Sequence, residues 1–438
     1  MGEWKVSREN LVSNLIQWRR DLHKFPETGF HEMRTASIVA ATLEKLGFSL
    51  QLGKKVMDEN YCMGKPSDAE TMEHFEWAKE NDISSKYLEC FKEGYTGIVA
   101  TWDTGRKGPT IAFRFDMDAL DIHENEDENH FPQKEGFRSR ILNKMHACGH
   151  DAHIAIGLGL AMMITQNQQK MNGTIKLIFQ PAEEGVRGAK SMVKANVVKD
   201  VDYFIAIHIG TGVPHRHFVA SNNGFFATSK LDITFHGEAS HAGAKPEKGR
   251  NALLAAATAA LNIYAISRHS GGMTRVNVGE MLAGSGRNII PDRALLKVET
   301  RGETSKINEY VKQQVEAIVE GAAKMYQNEY EIKLVGEAIS CTGSTELAEI
   351  LHTCAKEHHF IEMSYLQSKD SAGSEDATYF MKEVQRNGGQ ATYCIIGTEL
   401  AAGHHNDKFD INEESLLPAV EILYNSILKL NELNSNVN

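Results

Sequence analysis

The chain has 438 residues, 42% hydrophobic and 24% charged, with a formal net charge of -11. This length calls for about two to three core-forming units, the composition is that of an ordered globular protein, and the acidic balance argues against a nucleic-acid partner. Six cysteines are too sparse for a disulfide scaffold, and the sequence shows neither a secretory signal nor an apolar run near the roughly 20 residues of a membrane helix, so a cytoplasmic protein without membrane association is expected.

Leu11, Val12, Leu15, Ile16 and Leu22 recur at helical spacing until Pro26 stops the helix. A second helix is predicted from about His31 to Leu46, with Gly47 as its C-terminal cap. Residues 53–93 are charged, carry two short helical patterns (about 67–80 and 83–92), and read as an insertion. Strands follow at Ile98–Thr101 and Thr110–Phe115, then a helix capped by Asp151 and running to about Ile164. Further strands are predicted at Thr174–Gln180, Tyr203–Ile209 and Ala391–Thr398, with a closing helix at Leu416–Leu430. Apolar strands alternating with helices predict an α/β domain with a mainly parallel sheet.

The middle of the chain has a different grammar. Strands at Leu231–Phe235, Arg275–Met281, Ala294–Thr300 and Tyr330–Val335 and helices at Asn251–Ile266 and Ile307–Met325 run in the order β-α-β-β-α-β. That order predicts an inserted ferredoxin-like domain. The expected division is a catalytic domain in two parts, 1–222 and 338–438, around an insert at 223–337.

Five clusters carry chemistry. His146 to His153 holds Cys148 and His150 just before a helix N-terminus, where the helix dipole favours a thiolate and both residue types suit a divalent transition metal. A buried structural cysteine fits the same segment. Glu183 and Glu184 are adjacent carboxylates after a buried strand, so one could bind metal while the other handles protons; an ordinary acidic loop fits too. His208 ends a strand, where a structural histidine is the commoner occupant. Gly403-His404-His405-Asn406 follows the last strand, and Asp116-Met117-Asp118 follows the strand beginning at Thr110. All five are placed at or shortly after the carboxyl ends of predicted parallel strands, where open α/β sheets put their ligands. In the insert, Arg301 suits a carboxylate through two parallel hydrogen bonds, or serves in a surface ion pair.

Arg19-Arg20-Asp21-Leu22-His23 with Pro26-Glu27, Asp116 to Leu120, Met145 to His153, Phe179 to Gly185, Ser240 to Pro246 and Ser374-Glu375-Asp376 resemble, in order and spacing, the metallopeptidase-like amidohydrolases. This family includes hippurate hydrolase, indole-acetyl-amino-acid hydrolases, aminoacylases and carboxypeptidase G. Asp58 to Glu93, Glu93 to Thr101, His208 to Pro214 and Ala401 to Asn406 most resemble its aminobenzoyl-glutamate-cleaving branch. The resemblance implies a dinuclear metal-dependent hydrolase, with manganese the first expectation for the two divalent ions and zinc the alternative. It maps the ligands onto Cys148, His150, Glu184, His208 and His405, the general base onto Glu183, and a ligand-orienting role onto Asp118. It maps substrate contacts onto His241, Asn288 and Arg301, with His241 reaching a partner subunit's active site. The implied substrate is p-aminobenzoyl-glutamate, cleaved to p-aminobenzoate and glutamate. The alternatives are a broader N-acyl-amino-acid hydrolase or dipeptidase, or a non-catalytic assembly component of a hydrolase complex. A homodimer or a complex with a related B subunit is the implied assembly. The chain departs from the carboxypeptidase G branch, which has a His-x-Asp motif where Asp116-Met117-Asp118 stands and a bridging aspartate where His150 stands, so the bridging group stays open.

Overall fold

A computed structural model of the chain describes residues 7–81, 86–368 and 373–435. It divides into two compact units, one of residues 1–223, 341–370 and 377–438, the other of residues 224–340 and 371–376.

The first unit is built in chain order from α1 (Arg8–Lys24), α2 (Met33–Lys45), β1 (Ser49–Leu52), α3 (Asp68–Asn81), β2 (Ile98–Asp103), β3 (Thr110–Asp116), the one-turn α4 (Phe131–Lys134), α5 (His150–Gln166), β4 (Thr174–Gln180), α6 (Ala189–Lys194), β5 (Tyr203–Ile209) and β6 (His217–Val219). After the second unit it resumes with α9 (Thr345–Lys356), β11 (Met363–Tyr365), α10 (Ala377–Arg386), β12 (Gln390–Ile396) and α11 (Leu416–Ser435). Its eight strands lie in the order β1-β2-β4-β3-β5-β12-β6-β11.

The mainly parallel sheet expected from the sequence is there, with a parallel centre and a short parallel pair, β6 and β11, at one edge. Strands β4, β3, β5 and β12 pair in parallel. Both of their faces are covered: α5, flanked by α1, α2 and α11, packs on one, and α10, beside α6, on the other. That is why these strands read as unbroken apolar runs. Strand β2, expected as a strand of that sheet without a stated direction, runs antiparallel to both β1 and β4. An apolar run reports burial and not direction, and β1, only four residues long, leaves no pattern from which the reversal could be read.

Two local expectations are corrected. The cap of α5 is Gly149, at φ +85°, and not Asp151, which lies inside the first turn. A side chain at position 149 would also meet Ile209 Cγ2 at 2.7 Å, so glycine answers both the left-handed backbone and the close packing. In the 53–93 insertion, α3 matches the first helical pattern. Of the second, residues 82–85 lie outside the described residues, and the rest holds a single 3₁₀ turn at Leu88–Cys90. Leu88 and Phe91 are the buried positions there, and a three-residue spacing suits one 3₁₀ turn as well as an α-helix.

The second unit contains β7 (Ala227–His236), α7 (Ala252–Tyr264), β8 (Thr274–Ala283), β9 (Arg293–Gly302), α8 (Ser305–Met325) and β10 (Glu329–Ala338). Its sheet order is β10-β7-β9-β8, with every pair antiparallel. This is the ferredoxin-like arrangement anticipated from the alternation of elements. Leu231, Ile233 and Phe235 of β7 and Leu296 and Val298 of β9 meet the apolar faces of α7 and α8 in one core.

Candidate metal centre

The site is assembled at the carboxyl edge of the parallel strands. Cys148 and His150 arrive on the lead into α5 and not directly from a strand, whereas Glu183 and Glu184 follow β4, His208 ends in β5, and His404 and His405 follow β12. Their ligand atoms fall into three overlapping groups, each within 4.8 Å: His150 with Glu183 and Glu184, Glu184 with Cys148 and His405, and Cys148 with His208 and His404. The five expected ligands and the expected base therefore meet, with Cys148 and Glu184 as the shared members.

The histidines are oriented by main-chain groups. His150 Nδ1 donates to the carbonyl of Asp118 at 2.8 Å, and His208 Nδ1 donates to the carbonyl of Ile209 at 2.8 Å. In the neutral form of either ring this leaves Nε2 unprotonated, the arrangement of a metal-ligating imidazole; His208 Nε2 lies 3.6 Å from Cys148 Sγ. His150 Nε2 and Glu184 Oε1 are both buried without a hydrogen-bond partner, although Glu184 Oε1 lies 3.4 Å from His405 Nε2. Such orphaned atoms are costly unless something else satisfies them. A thiolate, imidazoles and carboxylates with unshared lone pairs turned together fit one or two divalent cations.

The Glu183–Glu184 loop is held from behind by buried carboxylates. Asp118 accepts the N–H of Glu183 at 3.0 Å and of Glu184 at 2.8 Å. Glu32, fully buried, accepts the N–H of Ala182 at 2.8 Å and the hydroxyl of Thr96 at 2.6 Å. Three successive peptide N–H groups thus end on two acids. The loop itself is strained: Ala182 and Val186, neither a glycine, have φ of +52° and +58°. Arg187 adds a bond from Nε to the carbonyl of Glu184 at 2.9 Å and another from Nη1 to Gly64 of the insertion at 3.2 Å.

A second buried network fixes the first turn of α5. Asp151 accepts from Arg19 Nε at 3.0 Å and from His23 at 2.8 Å. Arg19 also pairs with Asp410 and with Glu413, and His23 reaches Glu124 at 3.0 Å. The arginine and histidine quoted from α1 are therefore anchors of the helix that carries His150. Asp116 is used in the same way: it pairs with Arg114 at 2.7 Å and with His153 Nδ1, while His153 Nε2 accepts the N–H of Ile209 at 2.9 Å. With both ring nitrogens engaged, His153 has none left for a cation.

The electrostatics correct one expectation. Burial, and next the Glu184 carboxylate, push the Cys148 thiol above its usual range, so the helix N-terminus does not by itself secure the thiolate. A divalent cation held here would supply the missing opposing charge. Burial and the neighbouring His153 and His404 hold His208 neutral, well below the usual imidazole range. His146 is buried with neither ring nitrogen hydrogen-bonded; burial brings it down to about 4.

The three expected substrate contacts lie in the second unit. His241 is exposed, and its Nδ1 accepts the N–H groups of Gly243 and Ala244 at 3.1 Å. The Asn288 loop runs beside it, with Ala242 N–H donating to the Asn288 carbonyl at 2.9 Å. Arg301, on β9, forms a forked pair with Glu299 at 3.0 and 3.1 Å. A substrate carboxylate would have to compete with Glu299 for that fork.

Residues 112–429 match the model of Peptidase family M20/M25/M40. The chain belongs to this family. It is 52% identical over 413 residues to the indole-3-acetyl-aspartic acid hydrolase of Enterobacter agglomerans, covering 94% of this chain and 95% of the relative. It is 50% identical over 419 residues to one of the polypeptides of the p-aminobenzoyl-glutamate hydrolase of Escherichia coli, covering 96% of each. The crystal structure of an aminobenzoyl-glutamate utilization protein from Klebsiella pneumoniae superposes with a TM-score of 0.84 at 45% identity, covering 96% of each chain. As an M20 member, the chain is a hydrolase of amide bonds.

Sequence reasoning passed over Glu32, Asp116 and His153 as parts of this apparatus and left His404 without a role. Asp116, His153 and His404 had a signal, their place inside the clusters at strand ends; Glu32 had none.

Proposed function

We propose that the chain hydrolyses the amide bond joining an aromatic acyl group to a dicarboxylic amino acid, with p-aminobenzoyl-glutamate as the first candidate substrate. The observation that carries this is the set of three overlapping donor groups around Cys148 and Glu184, with His150 Nε2 and Glu184 Oε1 lacking hydrogen-bond partners. Two M20 relatives of nearly the full length are named for amides of aspartate and glutamate, and their shared feature is the acidic amine half.

In this reading Cys148, His150, Glu184, His208 and His405 hold two divalent ions, manganese or zinc. When bound, such ions polarise the amide carbonyl and bring a water pKa from about 15.7 towards about 7. Glu183 Oε takes the proton of the attacking water and returns it to the departing amine nitrogen. Asp118 and Glu32 hold the Glu183 main chain while the proton moves. His241, Asn288 and Arg301 bind the substrate, the last two gripping the α-carboxylate of the leaving amino acid, so that binding energy from a remote charge helps reach the transition state. Residues 223–337 serve as lid and dimerisation domain, and a related B subunit is the candidate partner.

The test is a substrate panel with the manganese- and zinc-loaded chain, alone and with the B subunit. Faster cleavage of p-aminobenzoyl-glutamate and indole-3-acetyl-aspartate than of their α-amides is expected, with loss of turnover on chelation. Cleavage that is indifferent to the α-carboxylate, or to chelator, would overturn the reading.

A further inference from the structure

Two neighbouring histidines, His404 and His405, lie beside one cysteine, and each completes a group of possible ligands with it. Residue type cannot distinguish them, but their second nitrogens can. His404 Nδ1 is 3.5 Å from Cys148 Sγ, and its Nε2 is 2.8 Å from the main-chain nitrogen of Thr211. A peptide N–H only donates, so Nε2 must be the unprotonated nitrogen, and Nδ1 of the neutral ring carries the proton. A protonated ring nitrogen cannot ligate a cation. It can donate to a thiolate. His150 and His208 are arranged the other way, each using Nδ1 on a carbonyl, so that Nε2 of the neutral ring is unprotonated; His208 Nε2 faces the same sulfur at 3.6 Å without a proton to donate.

The surroundings are shaped to hold that ring. Thr211 has φ +45° and stands between Gly210 at +81° and Gly212 at +79°, which turns its N–H towards the imidazole. A side chain at Gly210 would sit 2.9 Å from His404 Nε2. Phe409 packs against the other side, with ring centroids 4.9 Å apart. His405, by contrast, faces Glu184 at 3.4 Å, and its main-chain N–H is tied to the carbonyl of Ala147 at 2.8 Å.

We propose that His404 is a positioning residue that donates its Nδ1–H to the Cys148 thiolate, and that His405 alone of the pair is the ligand. The proposal rests on the metal-centre reading, but one arm of its test does not. In the full-length chain stripped of metal, the alkylation rate of Cys148 by iodoacetamide is followed by peptide-resolved mass spectrometry. His404→Leu should slow it at least about threefold, because the thiolate loses a donor. His404→Gln, whose amide can both donate and accept, should restore most of it. In the second arm, ions are counted after loading with manganese or zinc. His404→Leu should keep the wild-type number while releasing them to a chelator about 10–100-fold more readily; His405→Leu should lose one outright. An unchanged or faster alkylation rate in His404→Leu overturns the proposal, as does loss of an ion by His404→Leu but not by His405→Leu. If the wild-type chain holds no ion, the metal-centre reading fails, and the alkylation arm still decides the role of His404.

Discussion

Replacing Asp118 by alanine loosens the loop that carries both the proposed base, Glu183, and a proposed ligand, Glu184. Its carboxylate accepts the N–H groups of Glu183 and Glu184 at 3.0 and 2.8 Å, and a hydrogen bond to a charged group contributes about 1.5–3 kcal/mol. The pair is therefore worth about 3–6 kcal/mol, with the lower end preferred because Glu183 and Glu184 are half-buried and water can replace part of the loss. About 3 kcal/mol corresponds to roughly a 10²-fold fall in kcat/KM if the energy holds the base in register, since about 1.36 kcal/mol is tenfold. His150 keeps its shorter anchor: it donates at 2.8 Å to the carbonyl of residue 118, a main-chain atom that alanine retains, and loses only the more distant Asp118 Oδ1 at 3.4 Å. Asp118→Ala should thus lose about two orders of magnitude in kcat/KM while keeping its metal stoichiometry when loaded with excess ion, because every proposed ligand side chain is retained. Asp118→Asn should be nearly as impaired, because its amide NH₂ would face one of the two peptide N–H donors. Steady-state kinetics on p-aminobenzoyl-glutamate with metal analysis of the same samples gives the answer. Wild-type turnover in Asp118→Asn, or stoichiometric metal loss in Asp118→Ala, would refute this account of the loop.

Glu183→Gln keeps the shape of the site and removes the proton acceptor; turnover should fall by about 10²–10⁴-fold with metal content intact, and a variant that still turns over normally removes Glu183 from the mechanism. Glu32 is pushed up to about 8 by burial and by the nearby Asp118, so the protonated acid is the form the fold favours, and its stabilisation, complete below the ordinary value of 4.5, is lost as pH rises through about 8. Glu32→Gln imitates the protonated acid, and its melting temperature relative to wild type should climb between pH 5 and 8; a decline over that interval would contradict the assignment. For His23, burial opposes the charge, but Glu124 and Asp151 outweigh it and raise the imidazole to about 9. Its stabilisation is complete below 6.5 and lost through about 9, so the deficit of His23→Gln, measured by thermal unfolding, should shrink across that window, and a constant deficit would show that the charge is not what stabilises.

The elements legible in the sequence are those whose burial leaves a periodic or continuous trace. Strands β4 and β5 have the bounds expected of them, because every residue from Leu177 to Gln180 and from Phe204 to Ile209 is buried and an interior strand has no polar face to blur its ends. The short strands β1, β6 and β11 span four, three and three residues, too few for alternation to rise above chance. The direction of β2 is a property of its partners and not of its own side chains. Within the site, residue types at strand ends were visible, but what Asp116, Asp151 and Glu32 touch depends on groups distant in sequence: Glu32 and Ala182 are separated by 150 positions. The helix dipole at Cys148 was a local argument, and burial, which is not local, outweighs it.

The same contrast explains how one residue type can do several jobs here. His150, His153, His208 and His404 are all partly or wholly buried imidazoles within one crevice, so residue type does not separate them. The main chain does. Where a carbonyl faces Nδ1, at His150 and His208, Nε2 is left to accept a cation. Where a peptide N–H faces Nε2, at His153 and His404, the proton is driven to Nδ1, which then serves an anion: the carboxylate of Asp116 in one case and the sulfur of Cys148 in the other. A carbonyl and an N–H are fixed by the sheet edge and its turns, which no single side-chain substitution removes. Function is therefore written partly in backbone direction, and a transplanted set of the same histidines without the β5–Thr211 turn would not reproduce the division between ligands and positioning residues.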